Sequence, residues 1–570
     1  MRIDKVYIED YKNLKEFNID LDEKEMKTVL LGQNATGKSN FMEALILIFK
    51  YLDLEKAVPK EIGLKYAIKY TCRGYSININ NLKGEYEFDV IKHHESRKKE
   101  FQTQKSDVQN VRNRRYWNPR RLPFIFLASN VNKRIAYANK ISKTEFFRNK
   151  DAYLPKYVFT YYSGLSNKLN ELFWDHQKKF YDKIIKKNFP VTELDSLRKL
   201  FYVKLVHSYF VLLAYFTHKD EESLRFLKDV LNIEDIESIL FVFKMPNWAK
   251  NRIKKDPDDI FWTAEGYVRD FLNKLWGLAT APIYNEEKIR TDFDEYDSQL
   301  RLYLFLKGKE KLQELADTYK DNTALFKALE STYISKLIAE VRIKVKKTNI
   351  DGSITFKELS EGEQQLLTVL GLLKFTKEEE SLILLDEPDT HLNPIWKWRY
   401  LEFLDKVVER HETTQIILNT HDPLVIGGLK KEEVRIFRTT ADGKLNVEPP
   451  EFDPRGLGVE GILTSELFGL PTTLDEPTKA ILDARNNLLV KQQTQQLTDE
   501  EQIQLRNIFS ELENLGFSNT FRDPLYQKFI VAYKQRVKDE TKMRYTKEDI
   551  EKQNQIAFEI LEELSKEETV

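Results

Sequence analysis

Apolar positions follow a strand-then-helix order at the start of the chain. Residues 6–8 and 29–31 are short runs of β-branched, aromatic and aliphatic residues, which predict strands. Between residues 40 and 50, apolar side chains recur at helical spacing and share one face, which predicts an amphipathic helix. Residues 75–79 and 86–90 alternate apolar with polar side chains, as antiparallel strands do. These patterns predict an α/β lobe at the amino-terminal end.

The pattern changes after residue 91. Residues 92–337 are typical of helices and carry no sustained heptad repeat, which argues against a long coiled coil. Within them, residues 158–164 have the pattern of a buried strand ending in a glycine turn, so a core strand is expected to return there. In the tail, Thr498 to Glu501 form a capping box that opens a helix. We predict an α/β fold, with a mixed sheet, flanking helices and an antiparallel lobe, in four segments: 1–91, 92–337 (a mainly helical insertion), 338–448 and 449–570 (a helical tail).

Composition is that of an ordinary soluble protein. With 570 residues, 41% of them hydrophobic and 32% charged, the chain can form more than one core. No apolar run approaches the roughly 20 residues needed to cross a bilayer, and the first residues lack the apolar core of a signal peptide. We therefore expect a cytoplasmic protein with no membrane segment. Cys72 is the single cysteine, which excludes an internal disulfide framework and a cysteine zinc cage.

One segment is strongly basic although the net charge is only −1. It begins at Arg97 and ends at Arg121, and Tyr116 and Trp117 are interleaved with its lysines and arginines. Two interpretations stay open. The segment could bind the phosphates of DNA, or it could be a solvated surface loop that binds nothing.

A phosphate loop lies between the predicted strand at residues 29–31 and the predicted helix at 40–50. Its glycines let the backbone curl, so that successive amides and the helix start point at phosphates. Lys38 is expected to reach the β and γ phosphates of ATP, and Ser39 to offer its hydroxyl to Mg²⁺. The spacing is specific in this strand-loop-helix context. The predicted nucleotide-binding residues are Gly32, Gln33, Asn34, Ala35, Thr36, Gly37, Lys38, Ser39 and Asn40.

Two acids and a histidine follow apolar runs near the other end of the chain. Asp386 and Glu387 end the run at residues 381–385, where ligands sit in an open parallel sheet. Asp386 is expected to hold Mg²⁺, and Glu387 to polarise the attacking water. His421 follows the run at 415–419, where its imidazole can hydrogen-bond the γ phosphate. Standing alone, such acids could equally be helix caps, but the phosphate loop favours catalysis.

A second anion-binding helix start is predicted at residues 359–365, where Ser360, Gly362 and Glu363 precede an apolar helix. At this point the chain resembles the ABC-type ATPases of the AAA family, in particular their branch of SMC, RecF and OLD-like proteins. The resemblance covers residues 1–90 and 341–440. It implies an ABC-type ATPase head, in which two copies meet head to head with ATP between them.

Residue roles follow from this resemblance. Ser360, Gly362 and Glu363 would act in trans on ATP held by the other copy, and the loop containing Asp389, Leu392 and Asn393 would cross between the two sites. Glu361 stands where transporter-type signatures usually have glycine, which still suits the soluble branch. No glutamine is assigned to the loop that senses Mg²⁺ in the family. Lys12 and Asn13 match a family position near the nucleotide, although a surface turn would explain them almost as well.

The work that ATP drives is less specified by the sequence, because one fold serves many functions. The insertion, the segment at residues 161–167 and the helical tail resemble the ATPase subunits of bacterial Septu-type defence systems. That resemblance implies a separate HNH-type nuclease as partner, and no nuclease centre is predicted in this chain. Two alternatives stay open: a RecF- or SMC-like repair ATPase that binds DNA directly, and a nucleotide-gated scaffold with slow turnover.

Overall fold

The fold is that of a computed structural model. It describes residues 1–22, 24–92, 139–164, 166–186, 199–217, 221–250, 252, 259–348, 352–375, 380–407, 413–440, 442–515, 529, 532–533, 536 and 547–567. None of the helices in these ranges is both long enough and apolar enough to cross a membrane. The basic segment from Arg97 to Arg121 lies outside the described residues.

The strands are numbered in chain order. They are β1 (Arg2–Tyr11), β2 (Leu14–Asp20), β3 (Lys27–Gly32), β4 (Lys65–Cys72), β5 (Tyr75–Asn80), β6 (Glu87–Lys92), β7 (Asn139–Ile141), β8 (Tyr157–Tyr162), β9 (Leu200–Tyr202), β10 (Ile233–Lys244), β11 (Thr280–Arg290), β12 (Tyr296–Lys307), β13 (Ile338–Lys347), β14 (Ser353–Thr355), β15 (Ser381–Asp386), β16 (Gln415–Asn419), β17 (Val434–Thr439) and β18 (Leu445–Glu448).

The helices are numbered in the same way. They are α1 (Lys38–Asp53), α2 (Lys143–Arg148), α3 (Lys150–Tyr153), α4 (Lys168–Leu172), α5 (Trp174–Ile184), α6 (Val206–Thr217), α7 (Glu221–Leu231), α8 (Gly266–Leu278), α9 (Gly308–Ala316), α10 (Asn322–Ile334), α11 (Glu361–Phe375), α12 (Pro394–Trp398), α13 (Tyr400–Val407), α14 (Pro423–Ile426), α15 (Gly458–Thr464), α16 (Glu476–Thr494), α17 (Asp499–Asn514) and α18 (Lys547–Glu567).

A seven-stranded sheet in the order β18-β17-β3-β16-β15-β8-β9 forms the centre of the head. From β17 to β9 every neighbouring pair is parallel, and β18 pairs antiparallel at one edge. The strand expected to return from the insertion is confirmed as β8, which pairs with β15 from Tyr157 to Tyr162. Because parallel strands share one carboxyl edge, the ends of β3, β16, β15 and β8 lie side by side.

Helix α1 lies between this sheet and a six-stranded antiparallel sheet in the order β2-β1-β4-β5-β6-β7. The sequence predicted one apolar face for α1, but nearly every residue of the helix is buried. Phe41 packs on both sides, with ring centroids 5.6 Å from Phe17 of the antiparallel sheet and 6.3 Å from Phe437 of the parallel sheet. The helix is therefore covered from two directions, which anchors the phosphate loop at its start.

The insertion holds more sheet than its pattern predicted. Between α7 and α11 a third, antiparallel sheet forms in the order β11-β12-β10-β13-β14. Three of its strands, β10, β11 and β12, fall within the segment predicted to be mainly helical. Strand β10 is central and apolar, and its periodicity alone does not distinguish a buried strand from a buried helix. Helices α6, α8, α9 and α10 complete this part of the head.

The chain divides into two compact units. The first consists of Met1–Ile426 and Lys430–Pro449, and it contains all three sheets. The second consists of Gly427–Leu429 and Pro450–Val570, and its described part is helical. The predicted capping box is confirmed at the start of α17, where the Glu501 N–H donates to the Thr498 hydroxyl at 3.3 Å and the Thr498 N–H donates to the Glu501 carboxylate at 3.0 Å.

Candidate active site

The phosphate loop joins β3 to α1, and two glycines determine its course. Gly32 has φ 143° and Gly37 has φ 92°, values that favour glycine. A Cβ at Gly37 would lie 2.8 Å from the Leu14 side chain, and one at Gly32 would lie 2.5 Å from the carbonyl oxygen of Phe437. Side chains are therefore excluded at both positions. The first turn of α1, with its unpaired backbone N–H groups, opens from this loop.

The middle of the loop is exposed and held from within. Gln33, Asn34 and Ala35 are exposed, and Ala35 has a left-handed φ of 65°. The Thr36 hydroxyl donates to the Gln33 carbonyl at 2.7 Å. This bond closes the loop on itself.

Lys38 is buried inside the loop. Its Nζ donates to the carbonyl oxygens of Gly32 at 2.7 Å and Gln33 at 2.8 Å. Burial lowers the pKa of Lys38 to about 8, while the charges of Asp386 and Glu387 act in the opposite direction. The ammonium group thus lies between the phosphate loop and the acid pair, where the β and γ phosphates of a nucleotide would neutralise it.

Asp386 ends β15 and is almost fully buried. Burial raises the pKa of its carboxyl group, while the hydrogen bond from Asn419 and the nearby Ser39 hydroxyl oppose that shift. Its Oδ2 atom is buried with no hydrogen-bond partner among the described residues. An orphan carboxylate oxygen beside a serine hydroxyl fits the oxygen-ligand preference of Mg²⁺, so Ser39 and Asp386 would hold the ion. When bound, Mg²⁺ supplies positive charge to the phosphate oxygens.

Glu387 and His421 face each other at the open side of the site. Glu387 has a left-handed φ of 51°, and this backbone conformation turns the chain sharply at the end of β15. Its N–H donates to the Asn419 carbonyl at 2.9 Å. Its side chain is 41% exposed, so water reaches the carboxylate, and Oε1 lies 3.6 Å from Nε2 of His421. Burial and the nearby Lys38 lower the pKa of His421, which favours a neutral imidazole.

The loop at residues 389–393 is fixed within its own chain. Asp389 is buried and accepts a hydrogen bond from the Thr420 hydroxyl at 2.9 Å. Burial raises the pKa of Asp389 to about 6 despite that bond. Leu392 is buried, and the Asn393 side chain caps α12 by accepting the N–H of Trp396 at 2.9 Å. These three predicted residues thus have structural partners in the same chain.

The start of α11 contains the three residues expected to act in trans. Ser360 is exposed, and its hydroxyl and N–H both bond to the Glu363 carboxylate, at 3.1 Å and 2.9 Å. Lys347 of β13 pairs with the same carboxylate at 2.6 Å. Gly362 is buried, and a Cβ there would lie 2.5 Å from the carbonyl oxygen of His391. Glu363 and Gly362 therefore shape the helix start, and the Ser360 hydroxyl lies at the surface.

Ser163 is a residue at this edge that the sequence analysis did not assign. It follows β8, and its N–H donates to the Asp386 carbonyl at 3.3 Å. Its hydroxyl lies 2.9 Å from the Thr390 hydroxyl. The family's Mg²⁺-sensing glutamine is not found in this segment, since residues 157–170 contain no glutamine. Ser163 is the polar residue that follows β8 beside the acid pair. The predicted return of β8 was the available signal, but only the pairing with β15 locates Ser163.

A cluster of polar side chains supports the phosphate loop from the β1–β2 turn. The Asn13 amide donates to a backbone carbonyl of the loop at 2.9 Å, and Asn40 donates to the Asn13 side chain at 2.7 Å. Lys12 and Lys168 both pair with Glu43 of α1, at 2.5 Å and 2.9 Å. Lys12 and Asn13 were open to two interpretations, a position near the nucleotide or a surface turn. The structure places both residues beside the phosphate loop.

The sheet order and the site together define the class of protein. A phosphate loop and an acid pair two strands away on one parallel sheet, together with a serine-glycine helix start that follows the third sheet, are the features of an ABC-type, SMC-like ATPase of the AAA family. The chain belongs to the family described as "AAA domain, putative AbiEii toxin, Type IV TA system", whose model matches residues 27–427.

Two curated relatives resemble parts of the chain. The Septu protein PtuA of Bacillus mycoides (strain KBAB4) is 26% identical over 216 residues, which are 36% of this chain and 29% of that protein. The probable peptide export ATP-binding protein YydI of Bacillus subtilis (strain 168) is 32% identical over 94 residues, 16% of this chain and 44% of that protein. The chain thus matches less than half the length of either relative.

Solved structures match over more of the chain but with low scores. The SMC head domain from Thermotoga maritima has a TM-score of 0.29 and 11% identity, covering 79% of this chain and 100% of that chain. The recombination mediator protein RecF with ATP has a TM-score of 0.25 and 14% identity, covering 79% and 97%. The fold assignment therefore depends on the strand order and the family match.

Proposed function

We propose that this protein is the Mg-ATP-binding and hydrolysing subunit of a bacterial antiphage defence complex. One observation carries the ATPase part of the proposal. Lys38 and Ser39 follow β3, Asp386 and Glu387 end β15, and His421 follows β16, which lies between those two strands. Five side chains from three separate segments of the sequence thus meet at one carboxyl edge, where a nucleoside triphosphate and its metal ion would bind.

The chemistry follows from the position of each group. Lys38 neutralises phosphate charge from within the loop, and Ser39 and Asp386 hold the ion. Glu387 is exposed beside them, so its carboxylate orients and polarises a water molecule toward the γ phosphate. His421, 3.6 Å from Glu387, donates a hydrogen bond to the γ phosphate as a neutral imidazole. The reaction is hydrolysis of ATP to ADP and phosphate.

The active unit of the proposal is a head-to-head dimer or a larger assembly. Ser360 presents an exposed hydroxyl at the start of α11, and the helix start favours anions. In a dimer, this end of one copy completes the nucleotide site of the other. ATP therefore holds the two heads together, and hydrolysis releases them.

The defence role rests on likeness to the Septu protein PtuA and on the family match. By that likeness, this ATPase controls a separate HNH-type nuclease that cleaves DNA. The helical segment at residues 449–570 is the proposed partner-binding region. No nuclease centre is proposed for this chain.

The test is purification of the tagged full-length chain from its native host, with and without ATP, followed by mass spectrometry. The Glu387→Gln variant, expected to retain ATP, serves as the ATP-bound form, and Lys38→Ala as the form that does not bind ATP. A co-purifying HNH-type protein whose recovery differs between the two variants, and whose DNA cleavage depends on the ATPase, supports the proposal. Recovery of the chain alone, with salt-sensitive DNA binding of its own, would instead favour a DNA-clamping ATPase.

A further inference from the structure

A cavity of about 390 Å³ lies beside the edge of the parallel sheet, away from the phosphate loop. Its walls are α5, the turn between β9 and α6, and the end of α10. The volume falls within the range of sites for small molecules, roughly 300–1,000 Å³. In sheet order β9 is four strands from β3, or roughly 19 Å at the usual strand spacing. The cavity is therefore separate from the site built around Lys38.

Aromatic rings form much of the wall. Tyr202 is nearly buried, and Phe173 fixes its ring at a centroid distance of 5.5 Å. Tyr333 is partly buried and packs near Phe210, with ring centroids 6.1 Å apart. Trp174, by contrast, is 55% exposed at the start of α5. Two rings held by packing and one large exposed ring suit a flat, aromatic ligand.

The same cavity is lined by cations. Lys178, Lys204 and Lys336 contribute to the wall, and none of the described lining residues carries a carboxylate. Lys178 pairs with Asp182 on its own helix at 2.6 Å. The nearby Glu330 is buried and lies 3.5 Å from His207, a lining residue. These two nearby acids are engaged with protein groups, and the described lining of the cavity is positive.

Lys336 has an unusual backbone. It follows α10 with a left-handed φ of 67°, and its N–H donates to the Tyr333 carbonyl at 3.0 Å. Glycine is the usual residue at such a helix end, because a side chain there is strained. Lys336 is exposed and lines the cavity, so its ammonium group is placed to meet an anionic ligand there.

The cavity is close to the catalytic edge as well as separate from the phosphate loop. Tyr202 ends β9, next to β8, and β8 is next to the strand that ends at Asp386. In sheet order β9 is two strands from β15, or roughly 10 Å at the usual strand spacing. A charged ligand here would therefore lie within range of the electrostatic field of the acid pair.

We propose that this cavity binds a second nucleotide, whose base stacks on the exposed Trp174 and packs against the tyrosine wall, and whose phosphates pair with Lys204 and Lys336. Base-on-aromatic stacking is sequence-tolerant, and lysines are common ligands of phosphate. The bound nucleotide is an effector: it adds negative charge beside the catalytic edge and is not hydrolysed. The site is independent of whether the protein acts in defence.

The test is fluorescence titration of the full-length chain with mant-ATP, exciting the tryptophans and reading energy transfer to the mant group. The parental chain should bind in two phases, and Lys38→Ala should remove one of them. In the Lys38→Ala background, Lys204→Glu and Lys336→Glu should each weaken the remaining phase by about tenfold, the loss of one charge-assisted bond. Trp174→Phe should lower the energy transfer while leaving binding in place.

Lys179→Glu is the matched control, because Lys179 is exposed on the same helix and does not line the cavity. It should bind as its parent does. If Lys38→Ala fails to fold, as judged by circular dichroism, the same lysine variants in the parental chain should remove the second phase alone. A single phase in the parental chain, or unchanged binding by both lysine variants, would overturn the proposal. Tripolyphosphate competing as well as ATP does would also overturn it, since the base would then contribute nothing.

Discussion

At the scale of single residues, burial opposes the charges of the nucleotide site. Lys38 and Asp386 are both buried, and burial shifts the pKa of each toward its neutral form. The charge of each opposes the shift of the other, and Asn419 donates a hydrogen bond to the Asp386 carboxylate. A bound polyanion and cation would therefore stabilise both charged forms.

Replacing Glu387 by Gln should stop hydrolysis and leave ATP binding in place. The amide keeps the size of the side chain but cannot accept a proton or polarise water, so we expect a loss of about 10²- to 10⁴-fold in single-turnover hydrolysis. Filter binding of labelled ATP should be close to parental. Glu402→Gln, on the exposed face of α13, is the control and should hydrolyse normally. Parental turnover by Glu387→Gln would remove Glu387 from the mechanism.

Nucleotide affinity should weaken as pH rises through about 8. The pKa of Lys38 is lowered to about 8 by burial, so above that pH the free protein has a neutral amine, and binding of a triphosphate must bring a proton with it. Calorimetric titration at pH 8.5 in two buffers of different ionisation enthalpy should show proton uptake. The Lys38→Arg variant, charged at every accessible pH, should show no uptake from this position. Equal uptake in both proteins would assign the proton to another group.

At the scale of elements, two helices show how the site is positioned. The sequence predicted α1 correctly as a helix after the phosphate loop but assigned it one apolar face. Its burial between two sheets depends on Phe17 and Phe437, which are far apart in the sequence. For α11, the serine-glycine start was recognised as an anion site, yet its packing against the carbonyl of His391 could not be derived from spacing.

Gly362→Ala should destabilise the protein although it lies in a helix. Alanine normally stabilises a helix over glycine by about 0.5–1 kcal/mol, but a Cβ here would be 2.5 Å from the His391 carbonyl oxygen, and overpacking costs about 1–3 kcal/mol. Chemical denaturation should therefore show a net loss. Gly277→Ala in α8, where a Cβ would meet nothing within 4 Å, should be neutral or slightly stabilising. A Gly362→Ala protein as stable as Gly277→Ala would contradict this packing.

At the scale of the whole molecule, the head presents two large exposed apolar side chains beside the loop at residues 389–393. Ile395 and Trp398 of α12 are 67% and 70% exposed, directly after the loop at residues 389–393. Large apolar side chains that are exposed next to one another indicate a protein contact surface. In the proposed head-to-head dimer, this surface would lie near the junction of the two copies.

Trp398→Ala should weaken ATP-dependent self-association by about tenfold, the loss expected for one aromatic anchor. The change is best measured by mass photometry of the Glu387→Gln protein with ATP, since hydrolysis would otherwise dissolve the dimer. Phe293→Ala, at the 76% exposed tip between β11 and β12, is the control and should leave the dimer unchanged. Loss of dimer by the control, or none by Trp398→Ala, would exclude this surface from the contact.

The sequence by itself determined the local parts of the site. The phosphate loop, the acid pair at a strand end and the histidine after the next strand can be located from it, because each depends on backbone requirements within a few residues. It also indicated that β8 returns to the sheet. The three long strands of the insertion were not found. The periodicity of β10 does not distinguish a buried strand from a buried helix, and β11 and β12, with 11 and 12 residues, have the length of a helix rather than of a usual strand.

Only the tertiary structure decided which partners complete these parts. Asn419 bonds to Asp386 from the neighbouring strand, Phe437 closes over Gly32, and His391 closes over Gly362. None of these contacts follows a sequence period, because each joins segments that only strand pairing brings together. The position of Ser163 beside Asp386 is set in the same way, by the order of strands in the parallel sheet, and strand order is a property of the folded chain.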